Sequence, residues 1–74
     1  MSGPDAPLLV EHRDGYRVLT LNRPQKLNSF DTALHRALRE ALAEADADAA
    51  CRAILLAGSG RAFCAGQDLG EPGL

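Results

Sequence analysis

The stretch GRAFCAGQDL, residues 60–69, comes shortly after a wholly apolar run, AILLA, at residues 53–57. An unbroken apolar run of this length predicts a strand buried on both faces of a sheet, and we place it from Cys51 to Ala57. The stretch that follows is rich in glycine and small residues, which favour a tight turn with accessible main-chain N–H groups. Together these features predict a sheet in which one buried strand ends in a backbone-exposing turn.

A β-hairpin is predicted near the start of the chain. Residues 8–11 and 16–21 are rich in β-formers, and Arg13-Asp14-Gly15 between them supplies a turn with a glycine, for which positive φ is easily adopted. Residues 1–7 contain one glycine, two prolines and an aspartate, so we expect them to form a flexible arm.

A single amphipathic helix is predicted between the hairpin and the buried strand. It should begin near Ser29 to Thr32, since Asn28, Ser29 and Asp31 are good N-cap residues, and end where Asp46 and Asp48 favour local turns. Its apolar stripe at helical spacing is Leu34, Ala37, Leu38, Ala41, Leu42 and Ala45. The order strand, helix, strand predicts a right-handed βαβ crossover in a largely parallel sheet with helices on both faces.

These residues alone do not cover both faces of such a sheet. We therefore interpret residues 1–74 as a single incomplete domain of α/β class, the N-terminal part of a larger fold. The remainder is expected in the same polypeptide or in a separate chain.

Composition argues against several classes of function. The net charge is −2 and there are three aromatic residues, so neither a basic stripe nor a stacking platform for nucleic acid is present. The N-terminus lacks a signal-peptide pattern, and no run approaches the roughly 20 apolar residues of a membrane span, so we predict a cytoplasmic protein without membrane contact. Cys51 and Cys64 have no zinc-ligand pattern around them and are expected to be reduced thiols, with no metal bound.

Three kinds of chemistry use a turn that is rich in glycine and small residues. A phosphate-binding loop is disfavoured because Phe63 stands where the pattern Gly-x-Gly-x-x-Gly, begun at Gly58, needs glycine. A nucleophilic Cys64 lacks a neighbouring base or cation in the sequence, so packing of its side chain under the turn is favoured. The third chemistry is an oxyanion site made by the main-chain N–H of Ala65, which Gly66 leaves accessible.

Asp68 is then expected in a first helical turn, where its carboxylate caps free amides. A tight strand-to-helix connection with no chemistry remains the alternative to an oxyanion site.

Three motifs in this order resemble one family: LNRPQKLNSF at residues 21–30, RAILLAGSG at 52–60 and RAFCAGQDL at 61–69. They are similar to the crotonase, or enoyl-CoA hydratase/isomerase, superfamily over nearly the whole chain. The resemblance implies the N-terminal portion of a spiral ββα core, assembled as a homotrimer or a dimer of trimers. The CAGQDL version most resembles family members that isomerise ring-epoxide CoA thioesters in phenylacetate breakdown.

The resemblance also implies an activity and a set of site residues. The substrate is an acyl-CoA thioester whose carbonyl oxygen lies between two main-chain amides, and Ala65 supplies the first. Coenzyme A enters as part of the substrate, and no further cofactor or metal is implied. The implied CoA-contacting loop comprises Arg23, Lys26 and Leu27. Ala62 and Cys64 run beside the pantetheine and adenine parts, and Gly66, Gln67 and Asp68 line the oxyanion loop.

Within that set, Asp68 is expected to hold the loop rather than to move protons. The second amide and the acid/base residues match nothing among these 74 residues. A non-catalytic CoA-ester-binding or interaction module, or an inactive fragment, is the alternative function.

Overall fold

The computed structural model describes residues 5–70. They form strands β1 (Leu8–Arg13), β2 (Tyr16–Leu21) and β3 (Ala53–Gly58), helix α1 (Thr32–Ala47) and a one-turn 3₁₀ helix at Pro24–Lys26. The predicted hairpin, helix and later strand are thus confirmed in type and order, within a few residues of the expected bounds.

The start of the described chain is held rather than free. The Asn22 N–H donates to the Pro7 carbonyl at 2.8 Å, and its side-chain Nδ2 donates to the Ala6 carbonyl at 2.9 Å. The predicted flexible arm, residues 1–7, is therefore wrong for its last two residues, because the end of β2 supplies them with hydrogen-bond donors. Residues 1–4 lie outside the described part of the chain.

The sheet has the order β1-β2-β3, with β1 and β2 antiparallel and β2 and β3 parallel. Arg13 pairs with Tyr16, so the hairpin turn consists of Asp14 and Gly15, and Gly15 has φ +85°. The parallel β2–α1–β3 unit is as predicted. The sheet itself is mixed rather than largely parallel, because the hairpin adds an antiparallel strand beside β2.

Helix α1 covers one face of the hairpin. Asp31 caps it by accepting the Leu34 N–H at 2.9 Å, and the helix continues through Asp46 to Ala47. The core between the helix and the hairpin consists of Leu8, Leu19 and Leu21 from the strands and Leu34 and Ala41 from the helix.

The expectation that β3 is buried on both faces is wrong for this chain. Ile54, Leu55 and Leu56 have 38%, 55% and 41% of their surface exposed. Within residues 5–70, β3 is an edge strand paired only with β2, and α1, the single α-helix there, packs on β1 and β2. The apolar side chains of β3 therefore indicate that the strand needs covering elements, and residues 5–70 do not provide them.

The loop that leads from β2 to α1 is fastened to the loop after β3 by one side chain. Leu27 and Asn28 both have positive φ, +53° and +58°, and Asn28 is fully buried. Its Oδ1 accepts the Arg23 N–H at 2.7 Å, while its Nδ2 donates to the carbonyls of Ser59 and Ala62, each at 2.8 Å. Asparagine suits this position because it tolerates the left-handed region and offers donors and an acceptor together.

Replacing Asn28 with alanine should destabilise the fold strongly. The change leaves two carbonyls and one N–H without partners in a buried place, and each orphaned group costs about 1–3 kcal/mol. We expect the free energy of unfolding to fall by about 3 kcal/mol or more, measured by urea unfolding of a protein that contains this segment. The exposed Gln25→Ala is the control and should change stability by less than about 0.5 kcal/mol. A loss below about 1 kcal/mol for Asn28→Ala would show that this side chain does not fasten the loops.

Candidate functional site

The candidate site lies where the loop before α1 meets the loop after β3. Phe30 pairs with Gln67 in an isolated parallel β-bridge. The Phe30 N–H donates to the Gly66 carbonyl at 2.7 Å, and the Asp68 N–H donates to the Phe30 carbonyl at 2.8 Å. The chain on both sides of Gln67 is therefore held by one residue of the opposite loop.

This pairing fixes the direction of the Gln67 main chain. In a parallel pair, one residue bonds to the two neighbours of its partner, so the partner's own N–H and C=O point to the opposite side. The Gln67 N–H therefore faces away from Phe30, and within residues 5–70 it donates to no other main-chain group. Gly66 has φ +97°, and a Cβ placed on it would meet no atom within 4 Å, so the space beside the loop is open.

The prediction that Ala65 presents a free N–H is wrong in this structure. That N–H donates to the Leu27 carbonyl at 3.0 Å. The left-handed conformation of Leu27 and Asn28 accompanies this contact between the two loops. The position of Gly66 beside Ala65 predicted an accessible N–H, but a neighbouring glycine does not determine whether a main-chain N–H is paired across loops.

The Arg23 guanidinium is bonded to groups of the protein and not exposed to a ligand. Its guanidinium lies 3.1 Å from Asp68 Oδ2 and 3.5 Å from Asp31 Oδ2, and it also donates to the Ser29 carbonyl. The side chain is only 12% exposed. The guanidinium joins the helix cap to the loop after β3, which gives no support to its predicted contact with CoA.

Asp68 acts as an anchor in this arrangement. Its Oδ1 accepts the Gly70 N–H at 2.9 Å, and this bond, followed by the Arg23 hydrogen bond, lowers the pKa of the carboxyl below its ordinary value. The group is therefore ionised near neutral pH and poorly suited to moving protons. It caps a turn rather than a helix, because the described residues after β3 include no helix.

The other predicted site residues lie around the same two loops. Lys26 is exposed at the end of the 3₁₀ helix, and its charge also helps to lower the pKa of Asp68. The Ala62 carbonyl accepts from Asn28. Cys64 packs against the core, as predicted, and its Sγ accepts the Gly66 N–H at 3.3 Å. The loop that contains Arg23, Lys26 and Leu27 and the loop that contains residues 62–68 thus form one continuous surface.

Three residues in or beside this surface were not predicted as site residues: Asn28, which was named only as an N-cap candidate, Phe30, and His35, whose Nε2 lies 3.2 Å from Gln67 Oε1. Asn28 had a usable signal, since asparagine after a proline-initiated turn is a candidate for positive φ. Phe30 and His35 had none, because their roles depend on which residue of a distant loop lies opposite.

Two further findings concern membrane spans and metal clusters in the described residues. From residue 5 to residue 70, no helix has the length and apolar character needed to cross a membrane. In the same range, no group of three or more His, Cys, Asp or Glu side chains is arranged to hold a metal ion.

Comparison with known proteins identifies the family. The family model for enoyl-CoA hydratase/isomerase matches residues 16–71. The chain is 51% identical over 64 residues to the 1,2-epoxyphenylacetyl-CoA isomerase of Escherichia coli, covering 86% of this chain and 24% of that protein. It is 52% identical over 64 residues to a probable enoyl-CoA hydratase of Rhizobium meliloti, covering 86% of this chain and 25% of that protein.

Comparison with solved structures supports the same family. The enoyl-CoA hydratase EchA1 from Mycobacterium marinum matches with a TM-score of 0.85 and 45% identity, over 88% of this chain and 26% of that one. Pseudomonas aeruginosa PA4980 matches with a TM-score of 0.84 and 45% identity, over 88% and 28%. The chain thus spans about a quarter of the length of these relatives, and its α/β fold is crotonase-like. With more than half of its residues matched by the family model, this chain belongs to the enoyl-CoA hydratase/isomerase family.

Proposed function

We propose that this segment forms one wall of an acyl-CoA site in an enzyme that stabilises a thioester enolate. The relatives are named as hydratases and isomerases of CoA thioesters, which supports the substrate class. The observation that carries the proposal is the outward N–H of Gln67, held between two hydrogen bonds to Phe30. In this proposal the first oxyanion amide belongs to Gln67 and not to Ala65.

The chemistry follows from where charge develops. Removing a proton next to a thioester carbonyl, or adding water to an enoyl thioester, moves negative charge onto the carbonyl oxygen. A fixed N–H dipole stabilises that charge without reorganising, and one such donor contributes roughly 100- to 1000-fold to kcat. Phe30 fixes the main chain on both sides of the Gln67 N–H, so the donor is held in place before substrate arrives.

The acid/base groups and the second amide are supplied outside residues 5–70 in this proposal. Asp68, the carboxylate nearest to Gln67 in sequence, is hydrogen-bonded to Gly70 and Arg23. Its lowered pKa makes it a weak base. The segment therefore supplies electrostatic stabilisation and positioning, while proton transfer belongs to other residues of the protein.

Lys26 is the cation that we assign to coenzyme A. Arg23 is neutralised by Asp68 and Asp31, whereas Lys26 is exposed on the rim of the same surface. A lysine on a flexible stem meets a phosphate as a mobile point charge. Leu27, Ala62, Cys64 and Ala65 lie along the two loops between Lys26 and Gln67, and we assign them to the wall beside the pantetheine chain.

The reaction subtype and the assembly are part of the proposal. Identities of 51% to an isomerase and 52% to a probable hydratase favour neither reaction over the other. A homotrimer or dimer of trimers in the cytoplasm, and a role in fatty acid or phenylacetate metabolism, remain predictions. A protein that binds CoA esters without turnover is the alternative, and the variants below distinguish it.

Replacing Gln67 with proline removes the outward N–H, whereas Gln67→Ala keeps it and removes only the side chain. In a full-length family enzyme that contains this segment, we expect Gln67→Pro to lower kcat at least about 100-fold further than Gln67→Ala does. Turnover of a 2-enoyl-CoA and of 1,2-epoxyphenylacetyl-CoA provides the assay, and circular dichroism checks the fold of both variants.

Ala65→Pro completes this test. It removes the N–H that donates to Leu27, so we expect a loss of stability of about 1 kcal/mol and a smaller effect on kcat than that of Gln67→Pro. Equal kcat for Gln67→Pro and Gln67→Ala would contradict the Gln67 assignment. Tight binding of acyl-CoA with no turnover in the unmodified enzyme would support the non-catalytic alternative.

Removing the charge of Lys26 should weaken substrate binding more than it slows chemistry. For Lys26→Ala in the same full-length enzyme, we expect KM to rise about three- to tenfold with kcat nearly unchanged, and the increase should shrink at high salt. Arg39→Ala, which removes an exposed cation from α1, is the matched control. A fall in kcat with KM unchanged would contradict a role of Lys26 in binding CoA.

A further inference from the structure

We propose that His35 is a positioning residue that keeps the Gln67 side chain away from the Gln67 main-chain N–H. This inference rests on the proposed function, because the N–H matters only if it receives a substrate oxygen. His35 lies in the first turns of α1, outside both loops of the candidate site, and nothing in the sequence motifs connects it to Gln67.

His35 contacts the oxyanion loop directly through Gln67 and indirectly through Phe30. Its Nε2 lies 3.2 Å from Gln67 Oε1. Its ring lies against Phe30, with ring centroids 4.8 Å apart and an interplanar angle of 47°. Phe30 in turn holds the main chain on both sides of Gln67. With Oε1 as the acceptor, the imidazole carries its proton on Nε2 and donates it.

The β-bridge determines which way the Gln67 side chain leans. Paired residues project their side chains to the same face of a bridge, so the side chains of Phe30 and Gln67 are neighbours. Since the His35 ring packs on Phe30, a Gln67 side chain that reaches His35 must lean towards Phe30. The Gln67 N–H points in the opposite direction, so the hydrogen bond holds the side chain out of the space that the N–H faces.

The position of His35 is fixed by the start of α1. The His35 N–H donates to the Asp31 carbonyl at 3.0 Å, and Asp31 also caps α1 and lies 3.5 Å from the Arg23 guanidinium. Arg23 then contacts Asp68, the residue after Gln67. The imidazole and the loop that it steadies are therefore connected through the same helix cap.

Losing the hydrogen bond frees a long, exposed side chain. Gln67 then samples other staggered rotamers, some of which cover its own N–H. A single exposed hydrogen bond is weak, and its loss corresponds to about a three- to tenfold effect. Because a covered N–H fails to stabilise developing charge, the loss should fall mainly on kcat.

The test is a double-mutant cycle in a full-length family enzyme that contains this segment. His35→Phe keeps an aromatic ring beside Phe30 and removes the donor. We expect it to lower kcat about three- to tenfold when Gln67 is present, and less than about twofold in the Gln67→Ala background, where no side chain remains to be positioned. His12→Phe, at an exposed histidine on β1, is the matched control and should leave kcat unchanged.

The cycle separates this inference from the proposed function. If Gln67→Pro abolishes turnover while His35→Phe leaves kcat unchanged, the positioning role is wrong and the oxyanion amide stands. If His35→Phe lowers kcat equally in both backgrounds, His35 acts through Phe30 or the fold, which also overturns the inference. If Gln67→Pro retains the turnover of Gln67→Ala, the proposed function itself is wrong.

Discussion

The four hydrogen bonds of Asn28 are the constraint on which the rest of the site depends. A fully buried amide joins the loop before α1 to two carbonyls of the loop after β3, and its own N–H and Oδ1 close the turn at Arg23. Such a network is favourable only when every member is satisfied, so it specifies one arrangement of the two loops. In that arrangement Phe30 lies opposite Gln67, and the pairing of Phe30 with Gly66 and Asp68 fixes the direction of the Gln67 N–H.

In this arrangement, charged side chains hold the two loops together, and the main chain presents the Gln67 N–H. Arg23 lies between Asp31 and Asp68, so one largely buried cation joins the helix cap to the loop after β3. The Gly70 N–H and then Arg23 lower the pKa of Asp68, which favours its ionised form. The exposed Lys26 remains available for an anionic partner. In the proposed function, the Gln67 main chain provides the neutral dipole that an enolate oxygen needs, so the proposed site depends on main-chain direction rather than on a reactive side chain.

The sequence predicted the elements and the family well, but it did not show which main-chain N–H groups of the loop after β3 are paired. Hydrophobic spacing and the Asp31 cap located α1, and the LNRPQKLNSF and RAFCAGQDL motifs located the site loops. The Ala65 N–H was predicted to be accessible, but it is paired with Leu27 of the other loop, and local sequence does not encode such pairing. The exposure of β3 agrees with the expectation that these residues alone do not cover both faces of the sheet, since an apolar strand indicates the burial it requires and not the elements that provide it.

The central claim is that the Gln67 N–H, and not that of Ala65, receives the thioester oxygen. A crystal structure of a full-length family enzyme containing this segment, bound to a non-reactive acyl-CoA analogue, tests it most directly. The account predicts the thioester oxygen about 3 Å from the Gln67 nitrogen, with the Ala65 N–H still bonded to Leu27. A thioester oxygen within hydrogen-bond distance of the Ala65 nitrogen, or of neither nitrogen, would contradict it.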